Sequence, residues 1–425
     1  MTDKETQNEA LAELHRGYER GDLALFLGAG VSIATGLPTW EKLVLAMNFA
    51  AVSNEEIVDG GGGRWRPFPN YLYAIAEWQL RHRAEPLEIT ARKLRRYYDE
   101  IETRDNLNQG EGQRFFRQNL HRTLYESLLD DEGRLFPEPD YRVIRRDNPT
   151  LDAVAALCEA GFKAGQGVQS VITYNYDNLL ELVLNAQEDA GRKVPVLPLH
   201  SGLQEIKPDT LPVYHVHGLV PLEGGGAKAE SIVFTEDDYH QAALDPYSWS
   251  NIVQLQAMSN CTGLMVGLSM TDRNIRRLLD AVRGAPVRGQ AYALFRRQAF
   301  RPPEAGELKR IHERAIELIQ QFQTSGIKRS WGYGEEAGRW VKSERPVSNQ
   351  QRFQPPSGRK GELSYERDIR MILEGVHRID ALQQENVLRE LGVTPVWFDS
   401  YDEIAAFLRG IPAASRNGKP GGEAD

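Results

Sequence analysis

The chain has 425 residues, of which 41% are hydrophobic and 26% charged, so it can bury a large core and hold two domains or one domain with sizeable insertions. Its formal net charge of −9 argues against a surface that binds nucleic acid as a whole, because such domains carry a basic excess. The two cysteines, Cys158 and Cys261, are too few for a four-thiolate zinc site and fit a reducing compartment. The charged N-terminal segment lacks the apolar stretch of a signal peptide, and no segment has the length of a membrane span. We therefore expect a cytoplasmic protein without membrane contact.

Short, largely apolar segments recur along the chain, and most of them precede a helix-like pattern. They are Leu23–Leu27, Val168–Thr173, Val213–His217, Ser231–Phe234, Gly263–Leu268, Ala291–Phe295 and Val393–Phe398. This alternation predicts an α/β fold with a doubly wound, mostly parallel sheet.

Two long segments interrupt the alternation of strands and helices. Residues 51–148 carry long helical patterns and are predicted to form a helical insertion module. Residues 301–391 are predicted to form a second insertion, in which helices flank a mobile loop at 326–361 that is rich in Gly, Pro, Ser and charge. The predicted core comprises residues 1–50, 149–300 and 392–412, followed by a disordered tail at 413–425.

A glycine-rich turn, Gly28 to Ser32, follows the first predicted strand. Residues without side chains let the backbone approach a pyrophosphate, and N–H groups at a helix N-terminus attract the anion. Position 33 is Ile instead of the third Gly of the dinucleotide fingerprint, and no acidic residue ends a second strand about 20 residues on. A tight turn without a ligand therefore explains this motif equally well when it is taken alone.

A polar cluster, Tyr174 to Asn178, follows the strand Val168–Thr173. In open α/β sheets the ligand crevice lies at the carboxyl ends of the strands, so the cluster indicates a polar pocket. Asp177 or Asn178 can cap the following helix, which explains one side chain of the five. Asn175 lies one residue too early for a cap and is predicted to serve binding or catalysis.

His217 ends another predicted strand and is followed directly by Gly218. Strand alternation predicts that His215 and His217 point to the same face. Two histidines at this spacing can bind a metal, but no third ligand lies nearby in the sequence, and such a pair is more often structural. Imidazole is also the side chain best suited to take a proton near neutral pH, so His217 is a candidate general base.

Small residues end the strand Gly263–Leu268 as well, where Gly267 and Ser269 allow close backbone approach. Asp272 and Asn274 are predicted mainly to cap the helix that follows. Together with the three earlier motifs, this gives four polar or glycine-rich strand ends on one edge of the sheet. Their shared placement predicts a cleft of nucleotide size.

In this order, the motifs resemble the sirtuin family, and in particular the sirtuin-like NAD hydrolases of bacterial antiphage defence. The matching motifs are GAGVS and GLPTW (Gly28–Trp40), TYNYD (Thr173–Asp177), HVHG (His215–Gly218), TEDDY (Thr235–Tyr239) and GLSMTDRN (Gly267–Asn274). The resemblance runs from Leu23 to about Phe295, resumes at Val393–Leu408, and implies a Rossmann-like core. It does not cover the helical module or the loop at 326–361.

The resemblance implies a site for NAD as substrate, with no zinc. Asn175 would hold the nicotinamide ribose and an attacking water, and His217 would be the base that acts on the ribose hydroxyls. The implied NAD-binding residues are Gly28, Ala29, Gly30, Ser32, Thr39, Trp40, Asp177, Gly267 and Ser269.

Departures from the family pattern bear on the substrate. The protein deacylases of the family carry a four-cysteine zinc module that this chain cannot form, Tyr174 replaces the Gln before the catalytic Asn, and Glu41 stands where an Arg is expected. The resemblance therefore implies hydrolysis of NAD to nicotinamide and ADP-ribose. The alternatives are a sirtuin-type protein deacylase or ADP-ribosyltransferase, and a non-catalytic module that binds NAD or ADP-ribose.

The resemblance also implies a setting and partners. Such proteins deplete NAD during phage infection and cause abortive growth arrest, assemble into homo-oligomers, and in one system pair with a HerA-type hexameric ATPase. Contact with nucleic acid is a further hypothesis, although such basic runs are more often solvated faces or protein interfaces. It rests on Arg81, Arg83, Arg92, Lys93, Arg95, Arg96, Lys328, Arg329, Trp331, Arg339, Trp340 and Lys342.

Overall fold

A computed structural model describes residues 2–58, 85–104, 108–129, 141–162, 165–186, 194–283, 289–324, 332–333, 340–341 and 364–413. The strands in this part are β1 (Leu23–Leu27), β2 (Val168–Thr173), β3 (Val196–Leu199), β4 (Leu211–His215), β5 (Thr262–Val266), β6 (Ala291–Arg296), β7 (Gly332–Tyr333), β8 (Trp340–Val341) and β9 (Val393–Phe398). The α-helices are α1 (Asp3–Arg20), α2 (Trp40–Val58), α3 (Leu87–Arg104), α4 (Glu111–Leu124), α5 (Tyr141–Asp147), α6 (Pro149–Glu159), α7 (Leu179–Asn185), α8 (Glu236–Leu244), α9 (Trp249–Asn260), α10 (Arg273–Val282), α11 (Ala305–Thr324), α12 (Ser364–Glu390) and α13 (Tyr401–Gly410).

Seven of the strands form one sheet in the order β3-β4-β2-β1-β5-β6-β9, and every neighbouring pair is parallel. The continuous apolar sequences of β1, β4 and β5 are buried along their whole length, as in parallel sheets that are covered on both faces. The doubly wound Rossmann-like α/β fold that the sequence predicts is therefore confirmed. Because β1 is central and lies between β2 and β5, the crevice at its carboxyl end is where such folds place ligands.

The chain divides into two compact units. The first comprises Met1–Arg297 and Leu388–Asp425, and contains the seven-stranded sheet. The second comprises Gln298–Val387, in which the His312 and Tyr365 rings stack with centroids 4.2 Å apart. The predicted domain boundaries stay predictions. Most of the predicted loop at 326–361 and residues 414–425 of the predicted tail lie outside the described part of the chain.

Two predicted elements differ from the structure. Residues 231–234 do not form a strand, because Ser231 has a φ of 54° and the Val233 N–H donates to the His217 carbonyl over 2.9 Å instead of to a strand. The glycine-rich turn leads into two short 3₁₀ helices, Ala29–Val31 and Ile33–Thr35, before α2 begins. Strand β3 was not predicted from the sequence.

The described helices of residues 51–148 pack onto the loops at the carboxyl edge of the sheet. The Phe116 ring lies edge-on against Phe234 with centroids 5.4 Å apart. The Tyr125 hydroxyl donates to the Val220 carbonyl over 2.7 Å, and His121 Nε2 lies 2.8 Å from the Leu222 carbonyl oxygen. These contacts attach the module to the segment that follows His217.

Both cysteines are free and buried. Burial raises the pKa of the Cys261 thiol to about 11 and that of Cys158 further, so both stay protonated at neutral pH. No described helix is both long and apolar enough to cross a membrane. Among the described residues no group of three or more His, Cys, Asp or Glu side chains could hold a metal, and the expected lack of zinc stays a prediction.

Candidate functional site

The register of β2 and β4 brings Asn175 and His217 to neighbouring positions at the edge of the sheet. Thr173 pairs with His215, and each candidate residue follows its paired residue by two positions. The pairing continues one step further, where the Val216 N–H donates to the Thr173 carbonyl over 3.1 Å. Because paired parallel strands lie about 4.8 Å apart, the two loops leave the sheet side by side.

Asn175 uses its amide nitrogen to hold the glycine-rich turn. Its Nδ2 donates to the Gly28 carbonyl over 3.1 Å and lies 3.4 Å from Ser32 Oγ. A carbonyl oxygen only accepts, so the NH₂ group must face Gly28, and Oδ1 points elsewhere. No donor in the described part of the chain reaches Oδ1, and the side chain is only partly buried. A carboxamide oxygen is therefore left for a ligand or a water molecule.

Asp177 lies behind Asn175 and is buried. Its Oδ2 accepts a hydrogen bond from Ser32 Oγ over 3.0 Å, and its Oδ1 accepts one from the Leu179 N–H over 3.2 Å. Burial raises the pKa of this carboxyl to about 6, while the two hydrogen bonds act in the opposite direction. Asp177 therefore supports the start of α7, as a cap would, and also fixes the hydroxyl of a second predicted site residue.

His217 is buried between two phenol rings, at the junction of three chain segments. Its ring lies edge-on to Tyr174 and Tyr239, with centroids 5.1 and 5.5 Å away, and its Nε2 is 3.6 Å from Asp272 Oδ2. Burial lowers the pKa of His217, and the Asp272 carboxylate opposes this effect only in part. Because a carboxylate accepts hydrogen bonds, it favours the tautomer with the proton on Nε2. The neutral ring then keeps a lone pair on Nδ1 that can take a proton.

Asp272 is a functional candidate that the sequence did not reveal. Its Oδ1 accepts hydrogen bonds from the Asn274 and Ile275 N–H groups over 2.8 and 2.9 Å, which confirms Asp272 as a cap of α10. The same prediction for Asn274 is wrong, because Asn274 lies inside the helix and its Nδ2 donates to Asn251 Oδ1 over 3.3 Å. The other oxygen of Asp272 faces His217. The sequence feature that could have identified Asp272 is its place in the GLSMTDRN motif. A sequence does not show, however, where the second oxygen of a capping carboxylate points.

His215 and His217 do not share an environment. His215 Nε2 lies 2.5 Å from Glu181 Oε1, whereas His217 contacts the two tyrosine rings and Asp272. Strand β4 ends at His215, and Gly218 has a φ of 90°, so the alternation of a strand does not extend to residue 217. The prediction that the two imidazoles point to the same face is therefore wrong.

The predicted glycines join two loops. The Gly28 and Gly30 N–H groups donate to the Val266 and Gly267 carbonyls over 3.0 Å. A Cβ on Gly30 would lie 2.6 Å from the Gly267 Cα, so only glycine allows this approach. The Ser32 N–H donates to the Ala29 carbonyl over 2.9 Å. The structure gives these residues a packing role, and their predicted contacts with NAD stay predictions.

The remaining predicted residues lie on either side of this junction. Thr39 precedes α2, where the Leu43 N–H donates to its carbonyl over 2.8 Å. The buried Trp40 Nε1 lies beside the Tyr176 hydroxyl and interacts with it, although the geometry is not that of a full hydrogen bond. Ser269 Oγ lies 2.7 Å from Thr271 Oγ1 on the loop after β5.

A small cavity adjoins the site. Its volume is about 10 Å³, and Ser32, Asn175, Asp177 and Glu181 are among the residues that line it. This volume is close to what one water requires. A larger open cavity of about 530 Å³, lined by Arg95, Arg117, Ser231 and Asp245 among others, contains no predicted site residue. The cleft of nucleotide size that the sequence predicts stays a prediction.

The basic residues of α3 are largely paired. Arg92 lies 3.0 Å from Asp237 and 3.6 Å from Glu236, and Arg96 lies 2.9 Å from Glu100. Lys93 pairs with Glu85, and the Arg95 guanidinium lies 4.5 Å from the Phe116 ring centroid. These carboxylates reduce the positive charge that the hypothesis of nucleic-acid contact requires. The side chains of its remaining residues lie outside the described part of the chain.

The comparison with known families agrees with this arrangement. Residues 169–319 match the SIR2-like domain. The match includes Asn175, Asp177, His217, Gly267 and Ser269, begins after the glycine-rich turn, and supports a sirtuin-like family. SIR2-like domains use NAD, which is consistent with an NAD-dependent activity. No curated protein matches the chain.

Proposed function

We propose that the protein is an NAD glycohydrolase, which cleaves NAD to nicotinamide and ADP-ribose. The observation that carries the proposal is that no donor among the described residues reaches Asn175 Oδ1, while the neighbouring strand leads to a buried histidine whose pKa is lowered. A carboxamide oxygen and a neutral imidazole on neighbouring strand ends provide the two functions that this hydrolysis requires, which are placement of water and acceptance of a proton.

The chemistry requires positioning more than a strong nucleophile. Nicotinamide leaves as a neutral molecule from a cationic ring, and the ribose passes through a state with positive charge on the sugar. Asn175 Oδ1 accepts a hydrogen bond from the attacking water, and Nδ1 of His217 accepts a proton from a ribose hydroxyl. As the glycosidic C–N bond breaks, the water oxygen bonds to the ribose carbon and the water proton passes to the ribose oxygen that His217 deprotonated. The products are nicotinamide, ADP-ribose and the one proton that His217 holds. A well-placed base contributes roughly 10²- to 10⁴-fold in rate.

A neighbouring carboxyl group fits a ligand with an amide at one end. Burial raises the pKa of Asp177 to about 6, so this group can be present in either protonation state near neutral pH. A carboxamide presents both a donor and an acceptor, and a carboxyl group that changes its protonation state can pair with either. This fit supports NAD over a ligand that carries only phosphates.

The test is nicotinamide release from NAD by the full chain, measured with its partner and trigger present. We expect Asn175→Ala to lower kcat by at least 10²-fold, because both the water and the ribose lose their anchor. The matched control is Asn178→Ala, which removes a carboxamide from the same loop. The Asn178 side chain contacts Leu222, Glu223 and Tyr125.

Equal activity of Asn175→Ala and the wild type, or no nicotinamide from any preparation, would refute the proposal. O-acetyl-ADP-ribose from an acetylated peptide would identify a deacylase, and NAD binding without turnover would identify a binding module.

We also propose that this hydrolysis serves antiphage defence, in a homo-oligomer that works with a HerA-type hexameric ATPase. The order of the sequence motifs and the SIR2-like match support the family on which this setting rests. Affinity purification of the chain from phage-infected cells is expected to recover a ring ATPase. The NAD content of the same cells is expected to fall. A monomer without an ATPase in the same extracts would contradict the assembly, and an unchanged NAD pool would contradict the role.

A further inference from the structure

Glu181 and His215 form a charged pair directly beneath the predicted catalytic loop. His215 is fully buried, and Glu181, in the first turn of α7, is 6% exposed. His215 Nε2 lies 2.5 Å from Glu181 Oε1, and its Nδ1 lies 3.4 Å from the backbone carbonyl oxygen of Asn175. The ring therefore connects a buried carboxylate to the backbone of the residue whose side chain faces the site.

The contacts determine the charge of the ring. A carboxylate and a carbonyl oxygen both only accept, so the imidazole satisfies both when each ring nitrogen carries a proton. Burial alone lowers the pKa of His215, but the charge and hydrogen bond of Glu181 outweigh it, and the pKa lies above its ordinary value. The pair is therefore an imidazolium and a carboxylate.

Stability alone gives little reason for this pair. Two buried charges lose their hydration, and apolar residues of similar volume are often at least as stabilising. What the pair does supply is a directional contact with one backbone carbonyl.

We propose that Glu181 and His215 are positioning residues, which fix the backbone of Asn175 so that its Oδ1 faces the substrate. The inference rests on the proposed function. Asn175 is held at three points, which are its N–H on Thr173 Oγ1 over 3.1 Å, its Nδ2 on Gly28, and its carbonyl on His215. The contacts with Thr173 and Gly28 join Asn175 only to neighbouring strand ends. The contact with His215 connects the Asn175 carbonyl, through Glu181, to helix α7.

The kinetic test compares two glutamates that each pair with a histidine. Glu181→Gln keeps the shape of the side chain but removes its charge, and is expected to lower kcat for nicotinamide release on the order of 100-fold with a much smaller change in KM. Glu230→Gln is the control, because Glu230 is exposed and lies 3.5 Å from His200 on the surface. The double variant Glu181→Gln/His215→Gln is expected to lose no more than the worse single variant, because the two residues act as one unit.

A spectroscopic test does not depend on turnover. In protein labelled with ¹⁵N-histidine, His215 is one of nine histidines and is identified by the signal that His215→Gln removes. We expect both of its ring nitrogens to be protonated at pH 7.5 in the wild type, and one of them to lose its proton in Glu181→Gln. In a second sample labelled with ¹⁵N-asparagine, the side-chain amide of Asn175, identified with Asn175→Ala, is expected to shift in Glu181→Gln and to stay unchanged in Glu230→Gln.

The outcomes separate the two proposals. A wild type that shows these signals but releases no nicotinamide refutes the proposed function and leaves the positioning of Asn175 in place. An active wild type in which Glu181→Gln behaves like Glu230→Gln refutes the positioning role. If Glu181→Gln does not fold, the wild type and His215→Gln decide. A neutral His215 in the wild type refutes the positioning role. A doubly protonated His215 in the wild type, together with a loss of kcat in folded His215→Gln, supports the positioning role.

Discussion

Asp272 uses one carboxylate oxygen to cap helix α10 and the other to face His217 in the candidate site. Oδ1 caps α10, and Oδ2 lies 3.6 Å from His217 Nε2. Asn is as good a cap as Asp, so Asp272→Asn removes the charge while the helix keeps its cap. The substitution therefore isolates the electrostatic role of the second oxygen.

We predict that Asp272→Asn shifts the pH dependence of nicotinamide release. His217 must be neutral to accept a proton, and burial lowers its pKa below the ordinary 6.5, so kcat/KM of the wild type should fall only below that pH. Asp272 opposes this lowering, so its neutralisation moves the acid limb to still lower pH. Loss of the preferred tautomer should also reduce the plateau by roughly 10- to 100-fold. A pH profile of kcat/KM measures both effects, and an acid limb that stays in place or moves to higher pH would contradict the assignment of His217.

Asp177→Asn tests the cost of burying a carboxylate. The folded-state pKa is raised from 3.8 to about 6, so the ionised group destabilises the folded protein above pH 6, and this cost disappears as the pH falls towards 4. We predict that the amide raises the free energy of unfolding by roughly 1–3 kcal/mol at pH 7.5 and by much less at pH 4.5. Urea unfolding at the two pH values measures the difference. Asp147→Asn, at an exposed carboxylate beside Arg146, should show no such gain, and destabilisation by Asp177→Asn at pH 7.5 would contradict the argument.

For single residues, the sequence identifies a site residue when no role in local structure, such as a helix cap, explains its position. Asn175 stood out because it was too early to cap α7, and its side chain does face the site edge. Glu181 and Asp272 were missed because their roles depend on a contact with another chain segment. A helix-forming Glu and a capping Asp satisfy local rules completely, so the sequence carries no anomaly at these positions.

Among the elements, the glycine-rich turn and the loop after β5 form one structural unit. Gly267 has a φ of 70°, and a Cβ there would lie 2.6 Å from the Val31 backbone nitrogen. Gly165 has nearly the same φ, 69°, but a Cβ there would meet nothing within 4 Å. The two positions separate the cost of a left-handed backbone from the cost of a backbone clash.

We predict that Gly165→Ala costs about 1–2 kcal/mol of stability and that Gly267→Ala costs a further 1–3 kcal/mol or more. The additional cost arises because the methyl group of Gly267→Ala must push the two loops apart. Thermal unfolding of both variants measures the difference, and nicotinamide release should fall only in Gly267→Ala. Equal melting temperatures would show that the loops separate without cost and do not form one unit.

The strands were predictable to the extent that they are buried. Strand β1 matches its predicted bounds, because a continuous apolar run bounded by polar residues identifies a covered parallel strand. Strands β2 and β9 also match, although each contains polar residues or a proline. Residues 231–234 are largely apolar too but have no neighbouring strand, and pairing partners are not visible in a single sequence. Strand β3, at the edge of the sheet, has only four residues, is partly buried, and contains Pro198, which weakens the strand pattern.

For the molecule as a whole, the two ends of the chain complete the first unit together. Strand β9 pairs with β6 along six residues, and Gln7 Nε2 donates to the Trp397 carbonyl over 2.7 Å. His15 Nδ1 lies 2.7 Å from the Ile411 carbonyl oxygen, and Arg409 pairs with Asp152 at the same distance. Strand β9 and α13 are therefore part of the sheet domain, although about 90 residues of the second unit separate them from β6.

Two truncations test this closure, and they differ only in whether these elements are lost. Removal of residues 392–425 deletes β9 and α13, exposes the edge of β6 and removes the contacts of α1 with β9 and Ile411, so we expect an insoluble chain. Removal of residues 414–425 takes only the predicted tail and should leave the melting temperature and nicotinamide release unchanged. Soluble expression, size-exclusion chromatography and thermal unfolding of both forms give the comparison. A folded, soluble protein without residues 392–425 would mean that the sheet is stable with six strands and that its N-terminal helix does not depend on the C-terminal segment.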